Sequence, residues 1–460
     1  MRRLALAVLS ALLISCAMGP DYTRPGVSTP ESFRMAGKEG ESIANLPWWT
    51  LLRDEELQKL VRIALKENKD LMAAVASVEE FQARLFIARM DFAPQARATA
   101  NAPSLGRQTI VNIPGFPTTS SYYVQGNLSW EVDFWGRVRR ENEAARADLF
   151  AREENRRAVV LQLVSSVAQS YFDLRQLDMQ LDIAKRTLKS WEESVRLAQA
   201  RLRQGLTNKL DADQFEAERA NAAARTAELE RLMVQKENEL SVLLGRNSSQ
   251  IPRGRSLTEQ VMPPEVPAGL PSELLQRRPD VLQSEQQLAA ATARIGVAKA
   301  ERFPKITLTG LLGVASPQLS SLRTAFGNAN LELAGPLFNA QILGFQQQAA
   351  EAQARQAVAQ YEQTILVAFR EVEDALVAVR KTRDQTLAQE EQVTALRSAS
   401  HLADLRYKGG LANYLDVLTA QRSLFDAELS LTATRRLHLV SIVQLYKALG
   451  GGWTTGASMQ

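Results

Sequence analysis

Cysteine occurs once in this chain of 460 residues and histidine twice. One cysteine excludes a disulfide within the chain. His401 and His438 lie far apart in sequence and share no metal-ligand spacing, and neither is near a Ser-His or Cys-His arrangement that would activate a nucleophile. The residue types that carry enzyme chemistry are therefore scarce. Beyond the N-terminus there is no run of 18 apolar residues, too few for a membrane-spanning helix, which needs about 20. A crossing would have to be made of strands. The formal charge of +4 falls to +2 if residues 1–15 are removed with Arg2 and Arg3, a balance that gives no reason to expect a nucleic-acid partner.

Glycine and proline are missing from four long stretches: residues 137–204, 206–244, 345–408 and 411–449. Glycine costs about 1 kcal/mol and proline about 3 kcal/mol inside a helix, so such gaps mark helical rods. The order long, short, long, short reads as one unit built twice. A helix over 137–204 would be on the order of 100 Å long at ~1.5 Å per residue, more than a compact domain needs. The many Asp and Glu residues on these rods read as solvated faces and i,i+4 pairs.

The duplication holds residue by residue. The first rod pair turns at RLRQGLTNKLD (201–211) and the second at RYKGGLANYLD (406–416), an offset of 205. The same offset places Leu244 and Gly245 on Leu449 and Gly450, where both short rods meet a helix-ending glycine. Upstream the offset becomes 210: Asp70 falls on Asp280 and Pro94 on Pro304. Shorter helices are expected within Asp54 to Ala93 and Pro271 to Glu301, with Asp54 and Ser272 as N-caps.

Residues 122–134 alternate. Tyr122, Val124, Gly126, Leu128, Trp130, Val132 and Phe134 share one face; Tyr123, Gln125, Asn127, Ser129, Glu131 and Asp133 share the other. An apolar face backed by amides and carboxylates suits a strand between lipid and a wet lumen. Residues 95–102, 305–314 and 325–334 repeat the pattern, giving four strands, two per repeat. A small soluble sheet with one wet face would show the same alternation. Four strands cannot close a barrel, and open edges are not tolerated in lipid, so a membrane reading requires several copies; three would supply twelve strands.

At the N-terminus, Arg2 and Arg3 precede an apolar run from Leu4 to Ile14, the form of a signal peptide. The following Leu13-Ile14-Ser15-Cys16 resembles the lipobox of bacterial lipoproteins, in which the cysteine is acylated and becomes the first mature residue. Ala17 stands where an aspartate in such proteins retains them at the inner membrane, which favours the outer membrane. The segments are then 1–15 signal peptide, 16–53 acylated linker, 54–245 first repeat, 246–272 proline-rich connection, 273–450 second repeat and 451–460 tail.

Taken together, Cys16 with GPDYTRP (19–25), RRPD (277–280), Phe303-Pro304, Gly335-Pro336, the paired hinges and LYKALGGGW (445–453) resemble the outer membrane factors of bacterial tripartite efflux pumps, the TolC-like channels, in their lipoprotein branch. The resemblance covers essentially the whole mature chain. It implies an α+β membrane channel: a homotrimer whose twelve-stranded outer-membrane β-barrel, four strands per chain, continues into a twelve-helix periplasmic α-barrel. It implies a periplasmic adaptor and an inner-membrane transporter as partners, outer-membrane lipid, and no cofactor beyond the lipid on Cys16. The chain would be an exit duct, with no catalytic residue. A lipid-tethered periplasmic coiled-coil scaffold is the alternative. The cargo stays open among drugs, solvents, metals and small secreted molecules.

In that family the hinge turns form the periplasmic tip. Gly205, Leu206, Gly410 and Leu411 are thereby expected at the adaptor contact. Asp416 matches an aspartate lining the closed aperture, and Asp211 and Tyr407 match a carboxylate and a tyrosine that hydrogen-bond to hold the tip shut. Read from the residues alone, Asp211 and Asp416 could equally be N-caps restarting the short rods. Two positions depart from the family: Thr419 replaces a second aperture aspartate, and Ala412 replaces an arginine that cross-links the tip. Arg406, Lys408 and Lys209 are candidate substitutes.

Overall fold

The computed structural model describes residues 17–34, 49, 52–101, 122–260, 271–316, 320, 324–336, 338 and 340–451. Cys16 and the signal segment lie outside the described residues. The elements are α1 (Glu55–Glu67), α2 (Lys69–Met90), β1 (Gln95–Asn101), β2 (Tyr122–Glu131), α3 (Arg137–Arg203), α4 (Lys209–Leu243), α5 (Pro271–Arg277), α6 (Pro279–Ala300), β3 (Lys305–Ser316), β4 (Thr324–Ala334), α7 (Ala340–Lys408) and α8 (Tyr414–Ala448). The rods are where the glycine and proline gaps place them, with 67, 35, 69 and 35 residues. Helix α7 begins five residues before the gap and carries Gly344, whose missing side chain faces open space.

The repeat is visible in the element bounds. Adding 210 to α2 gives α6 at both ends, and adding 205 to α4 gives α8. Contact density divides the chain differently from the sequence repeat. One compact unit comprises Met1–Val27, Ala76–Glu153 and Gln283–Gln363; the other comprises Ser28–Val75, Glu154–Leu282 and Thr364–Gln460. Each unit therefore draws on both repeats.

The first unit holds an antiparallel sheet in the order β1-β2-β3-β4. Strand β2 stops at Glu131, three residues short of the predicted end. Val132 adds one further ladder bond, to Ile306 O at 2.8 Å, but Asp133 has another partner. Its carboxylate accepts from the backbone N–H groups of Val138 and Arg139 at 2.9 and 3.0 Å, so it satisfies orphan donors of the first turn of α3. Phe134 and Trp135 then pack edge to face, and Trp135 stacks on Phe303. The chain after Cys16 is docked in the same unit. Gly19, at φ +93°, lies against Gly296, where a Cβ on either residue would meet backbone at 2.5 Å.

The second unit is built on a core of α1, the middle of α3, the end of α8 and the inter-repeat connection, including Leu57, Val61, Val167, Phe172, Ile251, Leu257, Leu439 and Tyr446. Asp54 is the expected N-cap of α1, accepting from Glu56 and Leu57 N–H groups. It is also buried, and its other oxygen accepts from the Tyr171 hydroxyl (2.8 Å), Arg255 N–H (3.1 Å) and Gln260 Nε2 (2.8 Å). One carboxylate thus caps a helix and fastens the connection between the repeats. Burial and the Asp54 charge push the Tyr171 hydroxyl pKa well up, keeping it a donor. Ser272 is not an N-cap: Pro271 opens α5 and Ser272 is its second residue.

Candidate functional site

Two sites emerge, one in each unit. The first is the sheet. Residues directly opposite in an antiparallel pair share a face, so the register assigns every side chain. Leu128 pairs with Ala96 and Gly310, Gly126 with Ala98 and Leu312, and Val124 with Ala100 and Val314. Across the next ladder Leu308 meets Leu331 and Ile306 meets Leu333. The apolar positions of all four strands therefore form one continuous face. Its members Val124, Leu128, Leu308, Leu312, Leu331 and Leu333 are all exposed in the single chain. The opposite face carries Gln95, Arg97, Thr99, Gln125, Asn127, Ser129, Glu131, Thr307, Thr309, Asn328, Asn330 and Glu332. Asn127 donates to Thr99 Oγ1 and accepts from Gln125, each at 3.3 Å. Two large apolar residues interrupt this face: Leu311, between Asn127 and Asn328, and Phe326. Phe326 closes over a glycine. It sits opposite Gly313, where a Cβ would lie 2.8 Å from its ring, so the ring covers the glycine.

The apolar face approaches the height of the apolar band of an outer-membrane barrel, about 25 Å. From Ile306 to Val314 the strand rises roughly 26 Å, or about 20 Å along the axis of a barrel tilted by ~40°. Among the described residues no helix is long and apolar enough to cross a membrane.

The second site is the hinge pair. Gly205 (φ +72°) and Gly410 (φ +75°) end the long rods. In each, the glycine N–H bonds back to the C2 carbonyl and the next leucine N–H to the C3 carbonyl: Gly205 to Leu202, Leu206 to Arg201, Gly410 to Tyr407 and Leu411 to Arg406, all at 2.8–3.0 Å. This is the Schellman arrangement, and only glycine adopts its left-handed residue without strain. It exposes Leu206 and Leu411 by 70% and 75%, with Leu210 and Leu415 also out. Four leucines in water at two turns of the same design suit a protein contact.

Asp211 and Asp416 do not cap the short rods. Asn208 and Asn413 do, accepting from the backbone N–H of Asp211 and Asp416 at 2.9 and 3.1 Å. Both aspartates occupy the third helical position, where the N-terminal dipole favours a carboxylate. Asp416 is exposed. The Asp211 carboxylate accepts from Thr207 Oγ1 at 2.6 Å, and among the described residues no hydrogen bond joins it to Tyr407. Tyr407 is instead buried against Phe215, whose ring also meets Trp191 and Tyr414.

The residue that sequence reasoning missed is Arg201. Its guanidinium lies 4.6 Å from the Tyr407 ring centroid and donates to the Tyr407 and Lys408 carbonyls at 3.4 and 3.5 Å. It ties the end of α3 to the end of α7, where the dipole also favours a cation. The available signal was an arginine four residues before the hinge glycine. Of the proposed substitutes, Lys408 pairs with Asp404 at 2.7 Å on its own helix, while Arg406 and Lys209 are exposed. Buried Glu218 on α4 is bonded by Arg422 of α8. His401 is exposed; His438 is buried, its Nδ1 2.9 Å from Thr382 Oγ1.

A four-stranded sheet with one apolar face, joined to paired long helices, defines a membrane channel subunit. The family model for outer membrane efflux proteins matches residues 60–246 and 270–451. The chain belongs to that family, and its role is that of an outer-membrane efflux channel. It is 35% identical to the cation efflux system protein CusC of Escherichia coli O6:H1, over 96% of each chain. It is 34% identical to the "Probable outer membrane lipoprotein SilC" of Salmonella typhimurium, over 98% of this chain and 99% of the other. A crystal structure of CusC superposes with a TM-score of 0.82 at 33% identity, covering 94% of this chain and 99% of that one.

Proposed function

We propose that three copies of this chain join their sheets into one twelve-stranded barrel in the outer membrane, apolar face to lipid and amide face to a water-filled lumen, and that the rods of the three chains form the periplasmic duct below it. Substrates handed over by an inner-membrane transporter and a periplasmic adaptor leave through this duct. Cys16 carries the lipid, as the lipoprotein name of SilC supports. The hinges form the entrance: Gly205, Leu206, Gly410 and Leu411 present the adaptor contact, and Asp416, Asp211 and Tyr407 belong to the gate.

One observation carries this reading: the register gathers the apolar residues of four strands onto one exposed face while β1 and β4 remain as edges. A face and two edges of this kind have no stable place in water or in lipid until other copies pair with the edges. Planar-bilayer recording of the purified protein tests it. Asn127→Cys treated with a cationic thiol reagent should lose conductance, whereas Leu128→Cys should not respond. Channels that respond equally to both, or no channels at all, would overturn the reading.

A further inference from the structure

We propose that the wall of the duct holds a binding site for an organic monocation with an apolar body, completed by the Asp70 carboxylate. The site rests on the duct reading above for where it opens, and it names a class of cargo. Its basis is a cavity of about 550 Å³ in the second unit. The starts of α2 and α6, the ends of α4 and α8, and parts of α3 and α7 line it. Val159, Leu161, Leu243 and Pro279 give it apolar walls, and charged groups converge on it. A space of that size and character suits a ligand of drug size.

The repeat shows which charge is unmatched. Residues 68 and 278 are copies at the offset of 210, and both fasten the end of a short rod. Asn68 Nδ2 donates to Leu243 O at 2.9 Å. Arg278 Nη1 donates to Ala448 O, the copy of Leu243 at the offset of 205, at 3.0 Å. Equivalent residues thus make equivalent bonds. The second repeat adds charge to this joint. The buried Arg278 guanidinium donates to both oxygens of Asp280, at 3.0 and 2.6 Å, and to Glu371 at 2.7 Å. Helices α3 and α7 are unbroken from this level to their hinges, so the offset of 205 places Ser166 on Glu371. The first repeat therefore holds Asn68, Asp70 and Ser166 where the second holds Arg278, Asp280 and Glu371. Asp70 keeps the carboxylate and lacks the arginine. It is exposed, and among the described residues it forms no ion pair. Lys69 does not line the cavity; its Nζ lies 3.9 Å from Met72 Sδ. A helix start favours an aspartate in both repeats, but that dipole does not explain why only one of the two is neutralised.

The charge count selects the occupant. Three carboxylates, Asp70, Asp280 and Glu371, and two cations, Arg278 and Lys447, line the cavity and leave one negative charge. Lys447 sits in the last turn of α8, where the helix dipole favours it. One positive charge on the ligand balances the site, and the walls accept an apolar body. The cavity opens on one side of α3. Ala158, Gln162 and Ser166 line it, whereas Val164, Val167, Ala168 and Tyr171, on the opposite face of the same helix, pack in the core with α1 and the inter-repeat connection. In a ring of rods those added elements must stand outside for the bore to stay open. The cavity then faces the bore, where passing cargo reaches it.

Equilibrium dialysis of radiolabelled tetraphenylphosphonium against the purified protein in nanodiscs, corrected with empty discs, tests the site. Binding should saturate at one cation per chain. Asp70→Asn should weaken it about fivefold, the scale of one ion pair at a partly exposed site. Asn68→Arg, which supplies the arginine of the second repeat, should weaken it as much. Asp70→Asn, exposed and of the same shape, carries the test alone if Asn68→Arg does not fold. Tetraphenylborate, with the same shape and the opposite charge, should not compete, and tetramethylammonium, which lacks the apolar body, should compete poorly. Binding that does not saturate, or that Asp70→Asn leaves unchanged, overturns the site. Equal competition by tetraphenylborate overturns the role of charge. Planar-bilayer recording of the same protein separates the two levels. Channels that conduct without Asp70-dependent binding overturn the site and leave the duct reading standing. Protein that forms no channels overturns the duct reading, and with it the opening onto a bore, whatever it binds.

Discussion

Leu128→Arg against Ser129→Arg is the sharpest test of the sheet assignment, because adjacent residues are expected to behave oppositely. Leu128 pairs with Gly310, the midpoint of the apolar positions from Ile306 to Val314 on β3. It therefore lies near the middle of the lipid band, where an arginine costs about 2–4 kcal/mol. At 1.4 kcal/mol per tenfold, that is a roughly 30- to 700-fold loss in the inserted fraction per chain. Three symmetry-related copies raise the cost to about 6–12 kcal/mol per trimer if they act independently. Ser129 faces Gln95 and Thr309 on the polar side, where a charge remains in water and the cost should be near zero. The assay is the yield of heat-resistant trimer after folding into liposomes across a urea series. Equal yields from the two variants would refute the face assignment, and a larger loss for Ser129→Arg would invert it.

The hinge makes a different prediction. Arg201→Ala removes a cation–π contact worth about 0.5–2 kcal/mol and two donors to helix-end carbonyls; if this tie holds the proposed gate shut, the closed population should fall roughly 2- to 30-fold and resting conductance should rise. Tyr407→Phe keeps the ring in place and should change little; equal effects of the two would restore the hydroxyl latch to Asp211. Asp416→Ala should weaken block by a trivalent cation added from the hinge side several-fold if three copies ring an aperture, and unchanged block would remove that role. Cys16→Ser should abolish incorporation of labelled fatty acid, and equal labelling of the variant would remove the lipoprotein assignment. Burial first, then the charge of Arg383, holds the His438 pKa below its usual 6.5. The unfolded chain then binds the proton that the folded chain refuses. Stability is therefore full above about pH 6.5 and falls below it, by at most about 1.4 kcal/mol per pH unit. Thermal unfolding from pH 7.5 to about pH 5 should show this slope in the wild type and lose it in His438→Gln.

Much of this protein was legible in the sequence because helix interiors and strands leave local signatures. The missing glycines and prolines fixed four rods, since such a residue costs about 1 kcal/mol (glycine) or about 3 kcal/mol (proline) in a helix interior. Alternation fixed the strands and their faces, since a strand shows its side chains to opposite sides in turn. The offset of 205 and the glycines of the hinges were likewise readable, because a left-handed helix end demands glycine whatever surrounds it. Tertiary structure decided what depends on neighbours remote in sequence. Asp133 reads as the polar face of a strand, but the first turn of α3 claims it. Asp211 reads as a latch or a cap, but Thr207 and Asn208 compete for those roles. Nothing local marks Arg201 as the tie between two rods, or Asp54 as the anchor of a connection 200 residues away. Such roles are set by which group arrives within hydrogen-bonding distance, and a one-dimensional pattern carries no distances. The sequence determined the parts and their repetition; the pairing order β1-β2-β3-β4, decided only in three dimensions, left two open edges for which a single chain has no partner.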